Sequence, residues 1–353
     1  MKSDQQVQAR HLSSPVVVSC PLPGGQSDAA IEAAAAADHE LPHGSALEDR
    51  SWTRRAVSLV AIIMPLAGLI VAMILMWGEG AVGAGFGWLL ATLLGVGYLL
   101  STIGICVGYH RLFTHKSFET GPVVKAILGI LGSMAVEGSI LHWVATHRRH
   151  HQHSDRPDDP HSPHNHGVTS GVGRTLWSRI RGFGHAHIGW FFTPDSADLQ
   201  KYVPDLKADK VTRRVSDLFS LWVAIGLLAP AAIAFAVTGT WMGALLGFLW
   251  GGLVRVFLVH HITWSINSVC HLWGSRPFDS HDHSRNNVLF GILAFGEGWH
   301  NNHHAFLTSV RHGLRWWEFD LSYWIIRGLE AFGLARAVRV PSPERIEAKR
   351  RRR

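Results

Sequence analysis

The sequence predicts an all-α integral membrane protein: four transmembrane helices and a cytoplasmic helical cap that holds a histidine-rich metal site. Three observations carry that prediction. Hydrophobic residues make up 47% of the 353 residues and charged residues only 17%, with a mean hydropathy of +0.11, a balance tilted towards lipid. The apolar residues collect in long runs almost free of charge. Histidine is abundant, at 24 residues, and clusters near the ends of those runs.

Residues 1–53 read as a disordered tail, with Pro21-Leu22-Pro23-Gly24-Gly25, an alanine run at 33–37 and no sustained apolar period. No basic start followed by an apolar core is present, so no signal peptide is expected. Residues 54–343 are read as one membrane domain. Arg54 and Arg55 precede the first run, Ala56 to Trp77, which is uncharged and long enough to cross a bilayer despite Pro65. A short Gly-rich link with Glu79 leads to a second uncharged run, Ala81 to Tyr109, whose glycines permit close helix contact.

The next apolar stretch, Val123 to Leu141, carries Lys125 and Glu137. If it crossed the membrane, His110 and His115 would face the opposite side from His147, His150 and His151. It is therefore read as an interfacial or re-entrant helix rather than a fifth span. Residues 152–217 are polar and extramembrane, with a helix expected over 174–182. The third span is Leu218 to Val237. After Thr238-Gly239-Thr240 the fourth begins at Trp241 and passes Arg255 to reach about Trp264, where Arg255 can snorkel or pair. All histidine clusters then share one face. That face is rich in Lys and Arg while the two short opposite links have none, so the active site and both termini are expected in the cytoplasm.

The net charge is +7. Its basic residues flank apolar spans and end the chain as a basic tail, 344–353, closing in Lys349-Arg350-Arg351-Arg352-Arg353. That pattern fits anionic lipid headgroups and argues against nucleic acid. Cys20, Cys106 and Cys270 have no CxxC spacing and form no disulfide framework.

The chemistry concentrates in four places. His110 and His115 are five residues apart, a step of about 140° on an ideal helix, so they converge only if the helix ends or bends. His147, His150 and His151 share one helical face, as do His300, His303 and His304. Asn267 and His271 are one turn apart just beyond the fourth span. Nine imidazoles exceed what one transition-metal ion takes and imply two. Glu297 and Asp159 are candidates to orient imidazoles through the second ring nitrogen. His153, His161, His164 and His166 read as solvated or supporting. His142, His185, His187, His260, His261, His281, His283 and His312 show no repeated cluster pattern. A metal transporter is disfavoured, because the spans 56–77, 81–109 and 218–237 hold no ionisable ligands.

The chain resembles the membrane fatty acyl desaturases of the stearoyl-CoA desaturase type over about residues 54–343. The resemblance rests on HRLFTH at 110–115, HRRHH at 147–151, Asp159-Pro160-His161, His187-Ile188-Gly189-Trp190, NSVCH at 267–271, Gly274-Ser275-Arg276-Pro277 and GEGWHNNHH at 296–304. It implies two iron ions held by His110, His115, His147, His150, His151, His271, His300, His303 and His304, with Asn267 acting through water. It also implies O2 as co-substrate and a cis double bond, at delta-9 in the usual case, inserted into a saturated acyl chain. A related hydroxylase or acyl decarboxylase would share the metals. Trp190, Trp264 and Trp299 are candidates to line the acyl tunnel, and Arg148 and Arg149 to meet a phosphate-bearing headgroup. Family members using coenzyme A often carry a basic stretch after HxGW. Here Phe191 to Asp198 is acidic, so acyl-CoA and acyl-lipid both stay open. No fused haem-binding carrier domain is expected at either end, so a separate ferredoxin-like or cytochrome-like electron donor with its reductase is expected.

Overall fold

The computed structural model describes residues 45–77, 84–164, 175–193 and 196–351. Helix α1 runs Ser45–Trp77 with Pro65 inside it. Residues 45–53, expected to be disordered, are therefore helical; the rest of that tail lies outside the described residues, as does the link at 78–83. Helix α2, Ala84–Ile103, passes without a break into a π-helix, Gly104–Thr114.

Helix α3 spans Pro122–Ser133, only 12 residues. At about 1.5 Å per residue it covers about 18 Å, well short of a hydrocarbon core of about 30 Å, which rules out a fifth span. It packs on the π segment by close backbone approach. A Cβ on Gly104 would stand 2.1 Å from the Gly132 nitrogen, so this crossing admits no side chain there.

Helix α4 is Ile140–His153 and carries the second histidine cluster. Helix α5 is Leu176–His187, starting later and running further than the 174–182 expected, with Thr175 capping it by accepting from the Ser178 N–H. Three short helical pieces, Leu199–Tyr202, Pro204–Ala208 and Lys210–Asp217, follow. Helix α6, Phe219–Thr238, stops at Gly239, whose φ of 66° is left-handed. Helix α7 covers Trp241–Leu272 with a π insert over Phe248–Val254. The cap closes with α8 (Val288–Leu293), α9 (His300–Ala305), α10 (Leu321–Ala331) and α11 (Pro343–Ala348). A two-residue antiparallel ribbon pairs Glu119–Thr120 with Ala335–Arg336.

Among the described residues, four helices are long and apolar enough to cross a membrane: Arg55–Met76, Gly87–Thr114, Phe219–Thr238 and Trp241–Leu272. Their outer faces keep large apolar side chains exposed, such as Ile74, Leu228 and Val237, which suits lipid as the solvent. Arg255 does not snorkel. It is 2% exposed and donates to the carbonyls of Gly251 (2.8 Å), Met134 (2.8 Å) and Gly226 (3.2 Å) and to the Ser101 hydroxyl. One guanidinium thus ties α2, α6 and α7 to the end of α3. The main apolar core lies around the root of the cap and includes Tyr109, Phe113, Ile140, Val144, Val259 and Ile326. Cys106 and Cys270 are buried and unbridged.

The C-terminal stretch is more structured than a basic tail. Its start is α11, and the Arg351 N–H donates to the Pro277 carbonyl at 2.9 Å while the Asp279 N–H donates to that of Lys349.

Candidate metal centre

The histidines converge because of local winding. An ideal α-helix would splay His110 and His115 apart. The chain instead winds as a π-helix, and the His115 N–H donates to the His110 carbonyl at 3.1 Å. The extra residue per turn brings both rings to one side, with their Nε2 atoms 3.1 Å apart.

Helices α4 and α9 each divide their cluster between two groups, although the three rings of each share one helical face. The first group is His110, His115, His147, His151 and His303, and the second is His150, His271, His300 and His304. In α4 the i and i+4 rings join the first group and the i+3 ring the second. In α9 the i and i+4 rings join the second group and the i+3 ring the first. Each helix therefore lends one ring across, and the two groups are interlocked. Within each group the candidate ligand atoms lie within 4.8 Å of one another.

The nitrogen spacing fits metal ions. Nε2 pairs stand 3.0 Å apart for His147 and His151, 3.1 Å for His151 and His303, 3.1 Å for His110 and His303, and 3.0 Å for His271 and His300. Adjacent ligands on one ion with bonds of about 2.1 Å are separated by about 3 Å. The Nε2 atoms of His150 and His304 are buried and without a hydrogen-bond partner among the described residues, a cost that a bound cation would remove. Nine imidazoles without a thiolate suit Zn, Cu, Fe or Ni.

Four carboxylates take the Nδ1 side. Glu297 lies 2.6 Å from His110, Asp159 3.0 Å from His150 and Asp155 2.9 Å from His271, while Asp282 bonds His304. Each fixes a ring so that Nε2 faces inward. Burial works against ionisation of these acids, yet the adjoining imidazoles, with Arg111 beside Glu297, hold all four below the usual carboxylate range. Burial, reinforced by neighbouring rings, keeps His115, His147, His151, His300 and His303 well below their ordinary values. Burial takes His304 down to about 4 against the pull of Asp282. Neutral rings are the form that binds metal.

The groups open on a cavity of about 290 Å³ whose wall includes His110, His147 and His300 beside Trp143, Trp190, Phe191, Trp264, Ile266 and Asn267. Of the residues expected to meet substrate, Trp190, Trp264 and Arg149 lie on this wall. Trp299 does not. It is 1% exposed, its Nε1 donates to the Phe319 carbonyl at 2.7 Å, and its ring covers Gly291, so it is packing. Arg148 is also committed elsewhere. Its fork clasps Asp205 at 2.7 and 3.1 Å and donates to the carbonyls of Phe113, Thr114 and Tyr202.

Four residues were passed over or set aside in the sequence. Asp155 and Asp282 sit in loops, and no spacing links Asp155 to His271, 116 residues away. His312 and His161 were not placed at the centre, yet both are buried beside Glu297 and Asp159, at 3.5 and 3.7 Å. The Asp159-Pro160-His161 run was the available signal for the latter.

Comparison with known proteins agrees with this geometry. The family model for fatty acid desaturase matches residues 86–338. The chain is 42% identical over 288 residues to the hex-5-enoyl-[acyl-carrier protein] acetylenase of Moorena producens, covering 82% of this chain and 87% of that protein. It is 37% identical over 264 residues to the sn-2 palmitoyl-lipid 9-desaturase of Nostoc sp., covering 73% and 84%. It is 37% identical over 255 residues to the sn-1 stearoyl-lipid 9-desaturase of Synechocystis sp., covering 70% and 72%. A histidine-lined centre above four apolar helices and these matches lead to one conclusion: the chain is a member of the fatty acid desaturase family.

Proposed function

We propose that this protein is a membrane di-iron desaturase that uses O2 and two external electrons to insert a cis double bond at delta-9 of a saturated acyl chain. One observation carries the reading: two interlocked histidine groups, five rings and four, open on a cavity walled largely by aromatic and aliphatic side chains. One iron would be held by His110, His115, His147, His151 and His303. The other would be held by His150, His271, His300 and His304, with Asn267 on the cavity wall reaching it through water.

Iron would supply oxygen activation and hydrogen-atom abstraction, which an unactivated methylene needs because it has no acidic proton. The protein's own part is positioning. Trp190, Trp264 and Phe191 would hold the chain so that two adjacent methylenes face the centre. Four anionic carboxylates behind the rings match the charge of two divalent ions in a buried site. The carrier we favour is an acyl lipid, since desaturases with lipid-bound substrates recur among the relatives and Arg148 is unavailable to a coenzyme A phosphate. The Lys- and Arg-rich cap supports a cytoplasmic centre fed by a separate electron donor.

A second reading has its own support. The acetylenase relative is named for a hex-5-enoyl chain on a carrier protein, so dehydrogenation of an already unsaturated chain belongs in the same assay. The test is lipid analysis of a host expressing the chain. New cis-monounsaturated acyl chains that vanish in His303→Ala support desaturation. Unchanged acyl chains, with metal-loaded protein and a competent donor present, would end it.

A further inference from the structure

We propose that the surface formed by Arg276, Arg285 and Arg351 is the docking site of an acidic one-electron carrier protein. The inference rests on the desaturase reading, because that reaction needs electrons from outside. Converting a –CH2–CH2– pair to –CH=CH– while O2 becomes two waters takes up two electrons and two protons beyond the two hydrogen atoms removed. Each turnover therefore draws two electrons from an external donor.

Backbone pairing of Ser275 with Asn286, at 3.0 and 2.7 Å, and the Arg351 N–H to Pro277 carbonyl bond at 2.9 Å bring the segments bearing Arg276, Arg285 and Arg351 together. Arg285 is held below its ordinary value by partial burial and then by the charges of Arg276 and Arg351. Among the described residues, no carboxylate comes within 4.0 Å of Arg276 or Arg285, and Arg351 has only Asp279, at 3.7 Å and itself largely exposed. Like charges held together without compensation cost free energy in the isolated protein, and an acidic surface removes that cost. The crowding is built in, because the chain end that bears Arg351 is pinned through its own N–H to the Pro277 carbonyl.

The patch lies over the second histidine group. Arg276 donates to the Asp282 carbonyl, and the Asp282 carboxylate bonds His304. The neighbouring His283 is exposed, its N–H donates to Asp155 Oδ2 at 2.8 Å, and that oxygen accepts from His271 Nδ1 at 2.9 Å. Two ring-to-carboxylate links therefore join this loop to two rings of the second group.

Its height selects a soluble protein over a lipid headgroup. Helix α7 covers 32 residues from Trp241, about 48 Å at 1.5 Å per residue. The hydrocarbon core with one headgroup layer takes about 36 Å of that. An upright α7 would thus lift the loop that follows Leu272 about 12 Å above the headgroups.

The test uses full-length, metal-loaded protein in nanodiscs of neutral lipid, with a plant-type [2Fe–2S] ferredoxin as probe. Equilibrium binding of oxidised ferredoxin is measured for the wild type, Arg285→Glu/Arg351→Glu and the distant control Arg213→Glu. We expect the double variant to bind at least tenfold more weakly and with a flatter salt dependence, while the control is unchanged. Equal binding by wild type and double variant overturns the docking site. So does a difference that appears only with anionic lipid in the nanodisc, which would mark a headgroup surface. Turnover driven by photoreduced flavin, which needs no docking, reports on desaturation separately: its absence removes the desaturase reading without altering the binding result.

Discussion

His115 Nε2 lies 3.1 Å from His110 Nε2 although five residues separate them, because the chain between them is wound as a π-helix. Convergence of these two rings is a property of backbone register. Inserting one alanine between Leu112 and Phe113 should swing His115 away by about a quarter turn. The variant should lose close to half of its bound metal while the second group keeps its own. Elemental analysis of the purified protein checks this, and full metal content in the insertion variant would refute it.

The carboxylates behind the rings give a separate expectation. Asp282 touches His304 and is fully buried, but in the proposed arrangement it does not touch metal. Asp282→Asn keeps the shape and removes the charge. Metal affinity at the second group should fall by about 10- to 100-fold, with Asp155→Asn behaving alike through His271. Competition with a chelator measures the loss. Affinity unchanged in both variants would show that these acids only pack.

Four spans, the short α3 and both histidine triplets were legible because each follows from periodicity or run length within one segment. The partition of the triplets was not. Helical spacing places His147, His150 and His151 on one face, but a face about one turn long can serve two ions, and the rings brought up from other elements, His271, His300 and His304 on one side and His110, His115 and His303 on the other, send His150 one way and His151 the other. The π winding at Gly104–Thr114 was hidden for a related reason. The sequence poses the need, through rings five apart, while the packing of Gly104 against Gly132 helps determine how it is met. Trp299 and Arg148 misled because a residue beside a ligand in sequence can point away from it in space.

Arg148 and Arg149, adjacent in sequence, part company in the structure. Arg148 is held by five hydrogen bonds to Asp205 and three carbonyls, and a lysine cannot reproduce the fork. Arg148→Lys should lower the melting temperature, by the equivalent of about 2–4 kcal/mol, and leave substrate KM near the wild-type value. Arg149 lies on the cavity wall and donates to the Asp158 carbonyl. Arg149→Gln should do the reverse, raising KM with little change in melting temperature. The same pattern in both variants would contradict the assignment.

Glu137 makes the stability of the protein pH-dependent in an unusual direction. Its carboxyl lies on the cavity wall, accepts from Trp143 Nε1 at 3.0 Å and is pushed by burial up to about 7, against hydrogen bonds from Trp143 and Thr263 that pull it down. The folded state keeps this proton where the unfolded chain, with an ordinary value of 4.5, has released it. The stabilisation is therefore complete below pH 4.5 and is lost as pH rises through about 7, after which both states are ionised. Glu137→Gln carries no such term. Relative to the wild type it should gain stability between pH 5 and 7.5, on the order of 1–2 kcal/mol once partial exposure to the cavity is allowed for. Melting temperatures of both proteins at pH 5, 6, 7 and 8 decide the matter. The gap between them should widen towards neutral pH and level off beyond it, and a gap independent of pH would mean that Glu137 is ionised throughout.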